Sequence, residues 1–204
     1  MKLFSQADFV ATATQLQQLP AAGLPEIAFA GRSNVGKSSD INALVNRRRL
    51  AFVSKTPGRT QALNFFDLGG KARLVDLPGY GFAKVSKDLR SQWEHLVGGY
   101  LAERRSLLGI VLVMDARHPF TALDLQLIDW LKPHGLPVLV LLAKADKLTR
   151  AERVAAASQA RHRLLHAEAQ FFSSRTREGV EKARATLENW LARSENKKPP
   201  AKGI

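Results

Sequence analysis

Gly31-Arg32-Ser33-Asn34-Val35-Gly36-Lys37-Ser38 is the stretch on which the reading of this chain turns. It matches G-x-x-x-x-G-K-S/T, a phosphate-binding loop. Gly31 and Gly36 permit a tight turn that points successive backbone N–H groups at one anion. Lys37 and Ser38 then fall in the first turn of a helix, whose free amides and dipole also favour phosphate. Lys37 can reach β- and γ-phosphates, and the Ser38 hydroxyl suits Mg²⁺. The flanks agree with this. Pro25-Glu26-Ile27-Ala28-Phe29-Ala30 reads as a short buried strand, and Ile41, Leu44 and Val45 recur at helical spacing. A chance match to the motif in a chain of this size is on the order of one per cent, so an ordinary glycine turn is the poorer explanation.

Working outward, 204 residues suit one domain with a tail. The divisions fall at an N-terminal extension, 1–22, a nucleotide-binding domain, 23–195, and a basic flexible tail, 196–204, containing Lys197-Lys198-Pro199-Pro200. The opening residues fit either a helix or a strand and turn. After the first helix comes a basic segment with Pro-Gly punctuation, Arg47 to Thr60, which reads as a mobile loop. Gln61 to Leu68 and Lys71 to Val75 form a hairpin across Gly69-Gly70. Leu107 to Met114 and Pro137 to Leu142 are near-continuous apolar runs of the kind found in buried parallel strands. Helices are expected at Ser86 to Glu103, from Thr121 to before Pro133, from Thr149 to about His166, and from Thr176 to about Ala192, with a last strand at Gln170-Phe171-Phe172. This alternation predicts an α/β fold in three layers: a mostly parallel six-stranded sheet, one antiparallel edge strand, and helices on both faces.

The chain has no cysteine, so disulfides and thiolate metal sites are excluded, and a reducing cytoplasm is the expected location. No signal peptide or bilayer-length apolar run is present, so no membrane insertion is expected. Thirty-one Lys and Arg against eighteen Asp and Glu leave +13. That excess is concentrated, in Arg47-Arg48-Arg49 and the tail among other places, and favours a polyanionic partner over a merely solvated basic surface. The five histidines lack metal spacing, and Trp93, Trp130 and Trp190 read as packing anchors on helices.

Ligands of such sheets sit at the carboxyl ends of the strands. Asp76 ends an apolar strand, where a carboxylate can hold Mg²⁺ directly or through water. Gly79 can offer its N–H to a γ-phosphate, and the Thr60 hydroxyl and carbonyl suit a second Mg²⁺ contact. Ser38, Thr60 and Asp76 are thus the metal-binding candidates, and Lys37, Thr60 and Gly79 the catalytic ones. Lys144-Ala145-Asp146 follows a later strand. A carboxylate there can accept two hydrogen bonds from guanine, which adenine cannot donate, and the Lys144 stem can lie along sugar and base. Ser173-Ser174-Arg175 then offers a backbone N–H for the guanine carbonyl.

In this order the motifs look like the five of a translation-factor-class small GTPase. The strings Gly31 to Ser39, Ser54-Lys55-Thr56-Pro57-Gly58-Arg59-Thr60-Gln61 and Val75-Asp76-Leu77-Pro78-Gly79-Tyr80-Gly81-Phe82-Ala83 resemble the bacterial EngB family, over roughly residues 5 to 195. The resemblance implies a P-loop GTPase fold, GTP or GDP binding with Mg²⁺, and slow hydrolysis. It also implies a role in assembling the large (50S) ribosomal subunit, in contact with that subunit or its precursor, and a requirement for normal cell division and septation. A monomer is expected. The implied nucleotide contacts are Gly31, Arg32, Ser33, Asn34, Val35, Gly36, Lys37, Ser38 and Ser39; Gly58, Arg59, Thr60, Gln61 and Ala62; Asp76, Leu77, Pro78 and Gly79; Ala143, Lys144, Ala145 and Asp146; and Ser173, Ser174 and Arg175. Related GTPases with Asn34's pattern ligate K⁺ through that amide, so K⁺ at Asn34 and a simple turn role stand as equal readings.

Two residues depart from the family pattern. Ala143 replaces a Thr or Asn that braces the base loop against the phosphate loop, at a cost of about 1 kcal/mol for one neutral hydrogen bond. Asp40 replaces a small or apolar residue. If buried, it has no partner evident in the sequence and destabilises the fold. Tyr80 stands where Ras-like enzymes carry a water-orienting glutamine, so turnover should be slow. A guanine-nucleotide-gated RNA-binding module is the alternative from another class. A P-loop ATPase or kinase is disfavoured by Asp146.

Overall fold

The computed structural model describes residues 2–51, 62–81, 87–164 and 167–195. Along the chain these form α1 (Lys2–Ser5), β1 (Ala7–Ala13), β2 (Glu26–Gly31), α2 (Lys37–Val45), β3 (Leu63–Leu68) and β4 (Arg73–Asp76). Then come α3 (Lys87–Glu103), β5 (Leu107–Asp115), α4 (Ala122–Leu131), β6 (Val138–Ala143), α5 (Arg150–Arg163), β7 (Glu168–Phe171) and α6 (Val180–Glu195).

The strands make one sheet in the order β1-β3-β4-β2-β5-β6-β7. From β4 to β7 every pairing is parallel, while β3 runs antiparallel to both β4 and β1. The expected α/β architecture is present, and its sheet has a seventh strand. The N-terminal residues supply it: β1 pairs outside the hairpin strand β3, with Ala7 opposite Leu68 and Ala13 opposite Leu63. Its burial pattern explains the ambiguity of that stretch in the sequence. Only Ala7 and Ala13 are buried, Phe9 and Val10 are exposed, and no period-two alternation results.

β2, β5 and β6 are buried almost throughout, as continuous apolar strands covered on both faces must be. Alternate residues divide between two cores. Phe29, Val111, Val113, Leu139 and Leu141 pack with Ile41 and Leu44 of α2, Leu187 of α6 and Phe4 of α1. Ala28, Ile110, Leu112, Val140 and Leu142 pack with Tyr100 of α3, Leu127 of α4 and Ala156 of α5. α6 begins four residues later than its sequence pattern suggests. Residues 173–178 are engaged instead in loop bonds, Ser173 N–H to Glu178 O at 3.0 Å and Thr176 N–H to Ser173 Oγ at 3.1 Å.

Candidate functional site

Parallel register brings the strand ends together. Asp76 lies opposite Phe29, Gly31 opposite Val113, Asp115 opposite Ala143, and Leu142 opposite Phe171. The loops after these strands therefore share one edge of the sheet, the edge where such folds bind ligands.

The phosphate loop leaves β2 and enters α2 at Gly36, whose φ of 116° lies in the region that favours glycine. Asn34 also has a positive φ, 62°, a conformation Asn tolerates better than most residues, and its side chain is exposed. Lys37 is buried and ion-paired to Asp76 Oδ1, while Ser38 Oγ donates to Asp76 Oδ2 at 3.4 Å. One ammonium, one hydroxyl and one carboxylate thus converge at the start of α2. Hard oxygens of this kind suit Mg²⁺, which commonly takes one or two protein ligands and completes its shell with water and phosphate. Among the described residues no group of three or more His, Cys, Asp or Glu side chains is placed to hold a metal ion.

The loop after β4 lies directly on the phosphate loop. A Cβ on Gly79 would stand 2.7 Å from Ser33 Oγ and 3.1 Å from Ser33 N, so only glycine lets the two backbones approach. Ser33 N–H donates to Tyr80 O at 3.0 Å, and Trp93 Nε1–H to Pro78 O at 2.9 Å. The Tyr80 ring is buried and its hydroxyl donates to Asp124 Oδ1 at 2.8 Å. Burial first, and the Asp124 charge second, hold that hydroxyl far above its ordinary range, so it stays protonated. Asp124 also closes the capping box of α4, accepting from Thr121 N–H at 2.9 Å and Thr121 Oγ at 2.7 Å. Arg32 Nε sits 3.2 Å from the same carboxylate, an ion pair whose direction is wrong for a hydrogen bond. Thr followed three residues on by Asp is a local capping pattern. Its engagement of Tyr80 and Arg32 required the fold.

At the other end, Asp146 Oδ1 accepts from Ser173 Oγ at 2.7 Å, which holds the carboxyl below its usual range. Its Oδ2 is buried and takes no hydrogen bond, with Arg175 3.8 Å away. A buried acceptor left open in this way fits a donor from a bound base. Lys144 stretches back across the phosphate loop, donating to Asn34 O at 3.3 Å and Asp115 Oδ2 at 3.0 Å. Asp115 was missed in the sequence. Burial opposes its ionisation, but bonds from Arg117 and Lys144 outweigh that and hold it well below the carboxylate range. The available signal was a second strand-terminal Asp, placed like Asp76 and followed two residues on by an arginine.

The two departures resolve differently. Ala143 is buried at the end of β6, with Ala116 N–H donating to its carbonyl at 2.8 Å. Asp40 is only 1% exposed, so the buried reading of its position holds. Burial pushes its carboxyl up to about 7, against the Ser174 hydrogen bond and the Lys144 charge, which pull it down. Its Oδ2 takes no hydrogen bond.

Of the remaining candidates, Val35 and Ala145 are buried beneath their loops, Leu77 lies in the core, Ser39 is half-buried on α2, and Ala62 is buried just before β3. Gly58, Arg59, Thr60 and Gln61, and the tail 196–204, lie outside the described residues. The tryptophans pack as expected, Trp93 on Trp130 at 5.7 Å and Trp190 against the α6 core.

Sheet, phosphate loop and strand-end loops together define a P-loop GTPase. A family model described as 50S ribosome-binding GTPase matches residues 26–144. "Probable GTP-binding protein EngB" of Nitrosomonas europaea is 50% identical over 98% of this chain and 98% of its own. The chain belongs to the EngB family of GTP-binding proteins. A crystal structure of a probable GTP-binding protein EngB superposes with TM-score 0.66 at 21% identity, over 82% of this chain and 99% of that one. Era, in a complex with MgGDPNP and part of the 16S ribosomal RNA, superposes with TM-score 0.65 at 20% identity, over 90% of this chain and 60% of that one. At these identities the superpositions speak for the fold. Among the described residues no helix is long and apolar enough to cross a membrane.

Proposed function

We propose that this GTPase is a slow, Mg²⁺-dependent nucleotide switch that acts on the large ribosomal subunit or its precursor in the cytoplasm, and through that supports cell division and septation. The observation that carries the nucleotide half is the open Oδ2 of Asp146, facing the same sheet edge as Lys37, Ser38 and Asp76. Gly31 to Ser38 would cradle the phosphates, Ser38 and Asp76 would hold Mg²⁺ with Thr60, and Asp146 with Ser173-Ser174-Arg175 would read guanine. Bound Mg²⁺ would offset phosphate charge. Lys37 would then exchange its pairing with Asp76 for the β- and γ-oxygens, and the Gly79 N–H would meet the γ-phosphate. Tyr80 has no group free to orient water, because its hydroxyl is committed to Asp124. Slow turnover follows from that. K⁺ at Asn34 is part of the proposal only as far as its exposed amide permits, and turnover in K⁺ against Na⁺ tests it.

The ribosomal half is supported by the +13 net charge, by the exposed Arg47, Arg48 and Arg49 beside the phosphate-loop helix, and by the family description. Co-sedimentation with purified ribosomal subunits, in GDP and in a non-hydrolysable GTP analogue, tests it. Large-subunit binding should require the GTP analogue and weaken steeply with salt. Binding that ignores the nucleotide would point to the basic tail and count against both the switch and the guanine-nucleotide-gated RNA-binding module; turnover on isolated subunits separates those two. For base choice, Asp146→Asn should shift preference from GTP to XTP, and full retention of GTP preference would refute the assigned guanine contact.

A further inference from the structure

Arg153 stands in the first turn of α5, directly after the capping pair of Thr149 and Glu152, and the nucleotide contacts assigned above make no use of it. Its half-buried guanidinium meets two different loops. Nη1 donates to Ala145 O at 3.2 Å, in the loop after β6, and to Glu178 Oε2 at 3.2 Å, in the loop after β7. Nη2 donates to Glu178 Oε1, so the carboxylate is gripped by both prongs of the fork. The guanidinium also covers the Phe171 ring at the end of β7, 4.6 Å from its centroid. An ordinary exposed ion pair contributes little, and docking α5 alone would not call for contacts to both loops. These two loops carry Asp146 and Ser173. Ala145 directly precedes Asp146, and its N–H donates to Phe172 O at 3.1 Å. The Glu178 carbonyl accepts the Ser173 N–H at 3.0 Å, and Ser173 Oγ donates to Asp146 Oδ1 at 2.7 Å. The contacts therefore close a ring that runs from Arg153 through Ala145, Asp146, Ser173 and Glu178 back to Arg153. Asp146 belongs to that ring and keeps its Oδ2 open. None of these contacts involves Lys37, Ser38 or Asp76. Ala143, with no polar side chain, offers the base loop no support of its own.

We propose that Arg153 is a positioning residue for guanine recognition: by holding the loops after β6 and β7 together, it fixes the angle of the Asp146 carboxylate. This rests on the reading of Asp146 and Ser173-Ser174-Arg175 given above. Guanine presents a ring N–H and an exocyclic amine side by side, and a carboxylate meets both only when its two oxygens face them squarely. Hypoxanthine keeps the ring N–H and lacks the amine, so a tilted carboxylate serves it nearly as well. Pyrophosphate would touch neither loop.

The test measures the affinities of GDP, inosine diphosphate and pyrophosphate for Arg153→Ala, Glu178→Ala, the double variant and Glu178→Gln. In Arg153→Ala, GDP affinity should fall about tenfold and inosine diphosphate affinity about threefold, so the preference for guanine narrows about threefold. Pyrophosphate should bind every variant within about twofold of the parent, which also reports that the fold is intact. Glu178→Ala should narrow the preference in the same direction, and the double variant should lose no more than Arg153→Ala, since both remove the same tie. Glu178→Gln keeps an acceptor for the guanidinium and should hold GDP affinity within about threefold of the parent. A role confined to docking α5 would lower stability and leave the ratio of GDP to inosine diphosphate affinity where it was. An unchanged ratio, equal losses for all three ligands, or losses that add in the double variant would each overturn the proposal. If Arg153→Ala does not fold, Glu178→Ala decides it by the same ratio. Failure here is distinct from failure of the guanine assignment, which Asp146→Asn reads separately through its preference for XTP.

Discussion

Two buried carboxylates flank the nucleotide site, and they are treated in opposite ways. Asp124, fully buried under the loop after β4, receives Thr121 N–H, Thr121 Oγ and the Tyr80 hydroxyl, with Arg32 alongside. Asp40, 1% exposed on the other face of the sheet, has an Oδ2 that takes no hydrogen bond. Burial alone does not decide whether a carboxylate is costly; the number of donors brought to it does. Asp124 is a saturated centre that locks a loop. Asp40 is an incompletely satisfied one, kept at a cost beside the phosphate loop.

Removing the saturated centre should have the largest effect. Asp124→Ala deprives Tyr80 and Thr121 of their shared acceptor and Arg32 of its ion-pair partner, and equilibrium denaturation should show a loss of about 4–5 kcal/mol. A loss near that of an ordinary surface substitution would end the contrast with Asp40.

The next effect runs in the opposite direction. Because the folded-state value of Asp40, about 7, is raised above the ordinary 3.8, the native state retains a proton that the unfolded chain has already released. The favourable contribution is complete below about pH 4 and is lost as pH rises through about 7, so stability declines over that window. A rise of that size corresponds to about 4 kcal/mol at most, and partial relaxation of the site would lower that to about 3. Denaturation midpoints of parent and Asp40→Asn across pH 4–8 should diverge, with the variant the more stable at pH 8. Parallel curves would mean that Asp40 is as well satisfied as Asp124.

The smallest effect sharpens the comparison without breaking it. Tyr80→Phe removes one of the donors to Asp124 and leaves the capping box intact, so stability should fall by about 2 kcal/mol. Trp93, which packs edge-on to Tyr80 at 6.4 Å and donates to Pro78 O, should report any release of the loop through its fluorescence. An unchanged midpoint together with an unchanged spectrum would show that the tyrosine hydroxyl contributes nothing to the lock.

Much of the candidate site was legible because its chemistry is local. The phosphate loop carries its glycines, lysine and serine within one turn and a helix start. Asp76 and Lys144-Ala145-Asp146 follow apolar runs whose ends can be read directly, and the capping pairs at Thr121 and Thr149 are four-residue patterns with one structural outcome. β1 was not legible, because an edge strand with three exposed residues in a row has neither the alternation of a half-buried strand nor the continuous apolarity of a central one. Asp115 was missed for a different reason: its partner Lys144 is 29 residues away and is brought to it only by the pairing of β5 with β6.

By itself, then, the sequence determined the alternation of strands and helices, the phosphate loop and the Lys144-Ala145-Asp146 motif proposed to read guanine, since each depends on residues close together in the chain. Only the tertiary structure decided which carboxylates are satisfied. Tyr80 reaches Asp124 across 44 residues, whereas Asp40 is left with an Oδ2 that takes no hydrogen bond. Whether a buried charge finds donors depends on how separate strands are placed side by side, and no local pattern encodes that.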